Sequence, residues 1–205
     1  MRKFETTCYS ITEMKLLFPA AYETIIERFT SINTQYMDWS EFLLEDFTEM
    51  IERCGFSDVH IGFSGFGSQG DGAYFTGTYN NSGISREKLL DYCPADEEFI
   101  DFYDSLSLIL AEWSQAGFKL CHKGNYSHEC GAYIDYVECF DELGNTVDYE
   151  GYIESKILAA CREIMTIMYS RFEATYYELQ SESEIYETLL ANEYEFTIDG
   201  GKVRG

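Results

Sequence analysis

The spacing of apolar residues changes along the chain and predicts alternating helices and strands. Apolar positions three to four residues apart predict helices over roughly 19–29, 40–55, 85–92, 96–116, 149–177 and 181–191. Aromatic, Val and Thr-rich runs predict a hairpin over 59–79, a second from 118–122 and 131–140, and a short extended segment at 194–198. Ser40, Ser85 and Ser181 or Ser183 precede helices as expected N-caps.

These elements indicate an α+β fold. We expect one antiparallel sheet built from the two β-hairpins, helices packed on that sheet, and a long C-terminal helix. The length of 205 residues suits a single domain over 1–205, with loops at 81–85 and 141–148. Residues 181–205 form an appended C-terminal helix and a short extended end in this prediction.

The segment Phe63–Gly77 contains a literal G-x-G-x-x-G from Gly65 to Gly70. A dinucleotide site requires a helix after this string, because the helix N-terminus holds the pyrophosphate. Here Ala73 and the aromatic residues after it predict a second strand instead. We therefore interpret the segment as a hairpin with a glycine-rich bend and predict no nucleotide cofactor.

The net charge of the chain limits the classes of partner that it is expected to bind. The chain has 37 acidic and 14 basic residues, a net charge of −23. This charge repels nucleic acid and anionic membranes and attracts basic protein surfaces. No apolar run is long enough for a membrane helix, and no apolar segment follows Arg2 and Lys3 as in a signal peptide. The 7 scattered cysteines favour reduced thiols, so we expect a cytoplasmic protein.

A partner-binding surface is predicted where acids and aromatic residues cluster. The acids recur between 96 and 104 and near the C-terminus, and exposed aromatic residues supply contact area at low entropic cost. The predicted partner-binding residues are Phe66, Gln69, Asp71, Tyr74, Asp96, Glu97, Glu98, Asp101, Asp104, Tyr126, His128, Glu182 and Glu184. The expected partner is a basic protein surface, and the oligomeric state is left open.

The sequence gives weaker support to an enzyme active site or a metal site. Cys121-His122 and His128-Glu129-Cys130 are metal-ligating residue types, but neighbouring strand residues point to opposite faces, which makes a four-ligand zinc site awkward. No nucleophile motif accompanies His60, His122 or His128. We therefore predict no catalytic, cofactor-binding or metal-binding residues.

Several blocks resemble a family of small bacterial and phage proteins often labelled as the antitoxin of a toxin–antitoxin stability system. The matching blocks are Ser31-Ile32-Asn33, Tyr36-Met37-Asp38-Trp39, Glu45-Asp46-Phe47, Phe63–Phe66, Ser68–Ala73 with Phe75 and Gly77, His122-x-Gly124-x-Tyr126-x-His128, and Ala191–Phe196. The family pattern has Trp where this chain has Gly67, so the G-x-G-x-x-G string arises by substitution.

The resemblance implies carriage on phages and mobile elements, and therefore a location in the cytoplasm of a bacterial host cell. Small acidic proteins of that origin are similar to inhibitors of host defence, including anti-restriction and anti-CRISPR proteins. With the charge, this leads to the hypothesis of a non-enzymatic inhibitor that competes with nucleic acid for a basic groove, most plausibly on a CRISPR effector nuclease. The alternative is an antitoxin that neutralises a cognate toxin by direct binding.

Overall fold

A computed structural model describes residues 7–81, 85–111, 113, 115–147 and 151–204, without the side chains of Met37 and Arg204. Parts of the predicted 81–85 and 141–148 loops, the predicted helix start at Tyr149 and the basic residues Arg2 and Lys3 lie outside these ranges. The helices are α1 Ile11–Leu17, α2 Pro19–Arg28, α3 Glu41–Arg53, α4 Arg86–Tyr92, α5 Glu97–Ile109, α6 Tyr152–Leu179 and α7 Glu182–Ala191. The strands are β1 Tyr9–Ser10, β2 Phe56–Phe63, β3 Ala73–Asn80, β4 Gln115–His122, β5 Ala132–Phe140, β6 Glu195–Phe196 and β7 Lys202–Arg204.

The predicted α+β class is confirmed. The two hairpins join edge to edge as one antiparallel sheet in the order β2-β3-β4-β5. The junction is the pairing of β3 with β4, in which Gly77 lies opposite Leu120 and Asn80 lies opposite Gly117. A second, small sheet in the order β1-β6-β7 was not predicted, because strands of two or three residues are too short to show alternation.

Contacts divide the chain into two compact units. The first unit comprises Met1–Glu41 and Ala174–Gly205, and the second comprises Phe42–Glu173. The prediction of a single domain stays a prediction. In the first unit, residues of α1, α2, α7 and β6 form one buried cluster: Ile11, Met14, Tyr22, Ile25, Ile185, Leu189 and Phe196.

Aromatic residues fill the core of the second unit. Phe56 on β2 contacts Phe75 and Phe118 of the neighbouring strands edge-on, with ring centroids 5.1 and 5.6 Å away. Phe102 of α5 lies over the same cluster, 6.2 Å from Phe56. On α6, Phe172 is fully buried and stacks on Phe63 at 4.2 Å. Helices therefore pack on the sheet as the sequence indicated.

One predicted helix end differs from the structure, whereas the helix start predicted after Ser40 agrees with it. The helix predicted over 96–116 ends at Ile109, and this prediction is wrong at its C-terminal end. Residues from Gln115 onward belong to β4, where Ala116 pairs with Cys139 and Gly117 pairs with Glu138. The helix expected after Ser40 begins at Glu41, directly after a 3-10 turn Met37–Ser40.

Candidate functional site

The loop between β2 and β3 (residues 64–72) is closed by the carboxylate of Asp71. Its Oδ2 atom accepts hydrogen bonds from the backbone N–H groups of Gly67 at 3.1 Å and Ser68 at 2.6 Å. The backbone N–H of Ser64 donates to the carbonyl of Gly72 at 3.0 Å. Because an internal carboxylate takes the N–H groups that a phosphate would need, the loop does not offer a phosphate cradle.

Glycines set the path of this loop. Gly67 has φ +138° and Gly70 has φ +102°, a region that other residues adopt only with strain. Strand β3 follows immediately, so the predicted hairpin with a glycine-rich bend is confirmed. Phe66 lies half-buried against Tyr169 of α6, with ring centroids 5.6 Å apart, and the Tyr169 hydroxyl donates to the carbonyl of Gly65 at 3.0 Å.

The loop between β4 and β5 (residues 123–131) meets the first loop, and together we call them the hairpin-end loops. A Cβ added to Gly70 would lie 2.8 Å from the ring of Tyr126. A Cβ added to Gly72 would lie 2.8 Å from Cα of His128. Gln69, Gly70, Tyr126 and His128 line an open pocket of about 510 Å³. Three predicted partner-binding residues thus come together here.

Tyr74, another predicted partner-binding residue, lies on β3 and does not line this pocket. Its ring stacks on His122 at 3.8 Å with an interplanar angle of 10°. The Nε2 atom of His122 lies 3.0 Å from the backbone carbonyl of His128. Because a carbonyl only accepts, His122 donates from Nε2, and the ring ties β4 to the second loop.

The same loop carries one group of metal-ligating side chains. His128, Glu129 and Cys130 place one ligand atom each within 4.8 Å of one another. Glu129 begins the 3-10 turn Glu129–Gly131, so the side-chain alternation expected of strand residues does not apply. The sequence argument against a metal site therefore holds for the strand pair Cys121-His122 and fails for this turn.

Asp96 is tied into the fold. Its carboxylate caps α5 by accepting a hydrogen bond from the backbone N–H of Phe99. It also accepts hydrogen bonds from both terminal nitrogens of Arg171, at 2.6 and 2.8 Å. Partial burial raises the pKa of Asp96, but the hydrogen bonds from Arg171 outweigh it and hold the pKa below its ordinary value. These contacts give Asp96 a structural role, since they join the start of α5 to α6.

The remaining acids of α5 differ in their contacts. Arg171 reaches Glu98 at 2.9 Å, and Arg86 binds Asp104 through its Nε and Nη2 atoms. The contacts with Arg86 lower the pKa of Asp104. Glu97 and Asp101 are exposed.

Between α5 and α6 lies a groove of about 400 Å³. Carboxylates line it together with the apolar side chains of both helices: Glu98, Asp101, Asp104 and Glu163, with Phe102, Leu108, Ile164 and Ile167. We call this set the acidic groove. Sequence reasoning missed Glu163, although helical periodicity of 152–179 places it beside Ile164 and Ile167 at the edge of the apolar face.

In the first unit, Glu182 accepts from the Tyr22 hydroxyl at 2.7 Å and from Lys15 at 3.0 Å. These contacts lower the pKa of Glu182, the hydrogen bond from Tyr22 being the largest cause. Glu184 lines a second pocket together with Tyr36, Asp38 and Trp39. The two predicted C-terminal acids therefore differ, since Glu182 is bound within its unit and Glu184 faces a pocket.

Among the described residues, no helix is both long enough and apolar enough to cross a membrane. Comparisons with curated proteins and with solved structures returned no match. A comparison with protein families matched residues 39–182 to a domain of unknown function, DUF8835. The match covers both hairpins, the hairpin-end loops and the acidic groove. Because it spans most of the sequence, the chain belongs to the DUF8835 family.

Proposed function

We propose that this protein is a non-enzymatic inhibitor, carried by a phage or mobile element, of a nucleic-acid enzyme in host defence. The observation that carries the proposal is the acidic groove. It combines carboxylates with an apolar floor, as a surface that binds a basic amphipathic segment requires. The most plausible target is a basic groove of a CRISPR effector nuclease in the bacterial cytoplasm.

The floor of the groove supplies contact area. Leu108 is 79% exposed, although it is a large apolar residue on a structured helix. Phe102 and Ile164 lie buried beneath the same surface. Covering apolar area of this kind contributes about 25 cal/mol per Å² before the costs of association, so the floor favours a bound partner.

The carboxylates supply attraction and orientation. Glu98, Asp101 and Asp104 follow one another every three residues, a rise of about 4.5 Å along α5. Glu98 and Asp104 already contact Arg171 and Arg86, which lowers the local negative charge. We therefore favour recognition of a Lys- or Arg-bearing segment over imitation of a continuous phosphate array. Competition with nucleic acid follows because the partner's cations are occupied.

The net charge of −23 acts at longer range. It accelerates encounter with a basic protein, and the acceleration falls with ionic strength. The hairpin-end loops add a second contact in this proposal, since Gln69 and Tyr126 are exposed on a well-fixed backbone. Charge steers the complex in this scheme, and the aromatic and apolar residues set its lifetime.

The test measures guide binding by a purified CRISPR effector, and target-DNA binding and cleavage by the same effector after guide loading, at increasing inhibitor and salt concentrations. We expect competition with target or guide that weakens with salt. Reversing the groove charge with D101K/E163K should weaken inhibition at least about tenfold. The control D135K/E138K changes net charge equally at exposed strand positions outside the groove.

Equal effects of the two double variants would contradict recognition by the groove. No competition at any ionic strength would remove the competition mechanism. The antitoxin alternative predicts a different result: co-expression would protect cells from a toxic neighbouring reading frame while the effector keeps its activity. A harmless neighbour would leave that alternative without a basis.

A further inference from the structure

We propose that the second hairpin-end loop binds a zinc-like transition-metal ion through His128, Glu129 and Cys130. The Nδ1 atom of His128 lies 2.9 Å from Oε2 of Glu129, and Sγ of Cys130 lies 3.7 Å from Oε1. Tetrahedral zinc, with bonds of roughly 2.0–2.3 Å, holds its ligand atoms about 3.3–3.8 Å apart. The three side chains therefore need only small shifts to share one ion.

The contacts of His128 support this assignment. Its Nδ1 atom accepts from the backbone N–H of Cys130 at 3.2 Å and also faces the Glu129 carboxylate at 2.9 Å. The first contact requires a lone pair on Nδ1, and the second requires a proton there, so one neutral ring cannot satisfy both. A bound metal ion would replace both contacts, because it takes the single Nδ1 lone pair from the exposed Cys130 N–H and also coordinates the carboxylate oxygen.

The backbone beneath the three ligands is held from several sides. Nη2 of Arg162 donates to the carbonyls of Cys130 at 3.2 Å and Ala132 at 2.8 Å. His122 donates to the carbonyl of His128. Because these bonds fix the turn, the ligands are arranged before the ion arrives, which lowers the entropic cost of binding.

The ligand types select the ion. An imidazole, a carboxylate and a thiolate together suit Zn²⁺ and its neighbours in the transition series, whereas Mg²⁺ and Ca²⁺ prefer oxygen ligands. Three protein ligands leave a fourth position to water or to a group that enters the pocket lined by Gln69 and Tyr126. The inference does not depend on the proposed inhibitor function.

The probe is Co²⁺, added to the reduced full-length protein, because cobalt replaces zinc and gives a thiolate charge-transfer band. We expect one equivalent to bind, with the band displaced by Zn²⁺ and unaffected by excess Mg²⁺. The variants C130S and H128A should lose the band and weaken Zn²⁺ binding, measured by chelator competition, at least about a hundredfold. Cys130 is exposed, so its substitution leaves the core intact.

The variant C121S is the matched control, since Cys121 is a thiol on the preceding strand outside the proposed ligand set. It should bind Co²⁺ as the unchanged protein does. A missing band, a band that C130S retains, or binding that Mg²⁺ displaces would overturn the proposal. The last result would mean that the acidic surface collects cations without a defined site.

Discussion

In the hairpin-end loops, polar side chains bind the backbone of their own segment, whereas in the acidic groove they stay exposed or pair with other side chains. Asp71 accepts hydrogen bonds from backbone N–H groups of its loop at 2.6 and 3.1 Å, and His128 accepts one from the backbone N–H of Cys130 at 3.2 Å. Asp101 is exposed in the groove, and Leu108 is 79% exposed. The loops are therefore held in a fixed geometry, while the groove keeps acidic and apolar side chains exposed.

This difference predicts a separation of effects. Substitutions in the loops should cost folding stability, because they remove or crowd contacts that hold the backbone. Substitutions in the groove should leave stability nearly unchanged and reduce partner affinity. The exception is the ion pair between Asp96 and Arg171 at the start of α5, because both of its charges are partly buried.

Breaking this ion pair should give the largest loss of folding stability. In R171M the carboxylate of Asp96, whose side chain is 15% exposed, loses its partner. We expect a loss of about 3 kcal/mol in the free energy of unfolding at pH 7, measured in urea. The control R86M removes the exposed pair with Asp104 and should change stability far less.

The pH dependence of R171M follows from the direction of the pKa shift. Since the pKa of Asp96 lies below its ordinary value in the folded protein, the pair stabilises the fold above about pH 4 and loses this contribution as the pH falls. The deficit of R171M should therefore shrink between pH 7 and pH 3. A deficit that stays constant over this range would refute the electrostatic explanation.

The next effect concerns the contact between the two loops. In G72A, the new Cβ would lie 2.8 Å from Cα of His128 and 2.9 Å from the carbonyl of Ser127, so backbone must move. We expect a loss of about 2 kcal/mol. G151A is the control, because no atom of the described residues beyond its chain neighbours lies within 4 Å of its Cβ, and it should change stability by less than about 0.5 kcal/mol. Equal losses would show that the loops do not pack as described.

Two aspartates, one in the loops and one in the groove, allow a direct comparison with a smaller expected loss of stability. D71A removes the acceptor of the Gly67 and Ser68 N–H groups and should cost about 1.5 kcal/mol in urea unfolding. D101A removes an exposed carboxylate of the groove and should stay within about 0.5 kcal/mol. If both variants lose the same stability, the contrast between the two surfaces is wrong.

The sequence predicted the two hairpins of the larger sheet, but it did not predict which distant residues pair with one another. Alternation in β4 buries Ala116, Phe118 and Leu120, a pattern that local reasoning can identify. The end of α5 was misplaced because apolar residues continue at helical spacing through Leu110 to Trp113, and local periodicity cannot show that Gln115 pairs with Phe140.

The candidate surfaces were predictable residue by residue but not as sets. Gln69, Tyr126 and His128 were each proposed, yet their meeting depends on β3 pairing with β4, a contact between distant parts of the chain. Glu163 was missed for the same reason, since only the packing of α6 beside α5 brings it to the groove. The arginine partners of Asp96 and Asp104 likewise required the tertiary fold.

The smallest change in stability should accompany the most informative change in binding. L108S replaces an exposed apolar side chain on the groove and should alter unfolding by less than about 0.5 kcal/mol. Inhibition of the effector should weaken roughly tenfold or more, because the apolar floor loses its most exposed contact. The control L143S changes a leucine that is 87% exposed in the segment after β5, outside the groove. Identical inhibition by both variants would mean that the partner contacts another surface, and the groove would then owe its carboxylates to solubility alone.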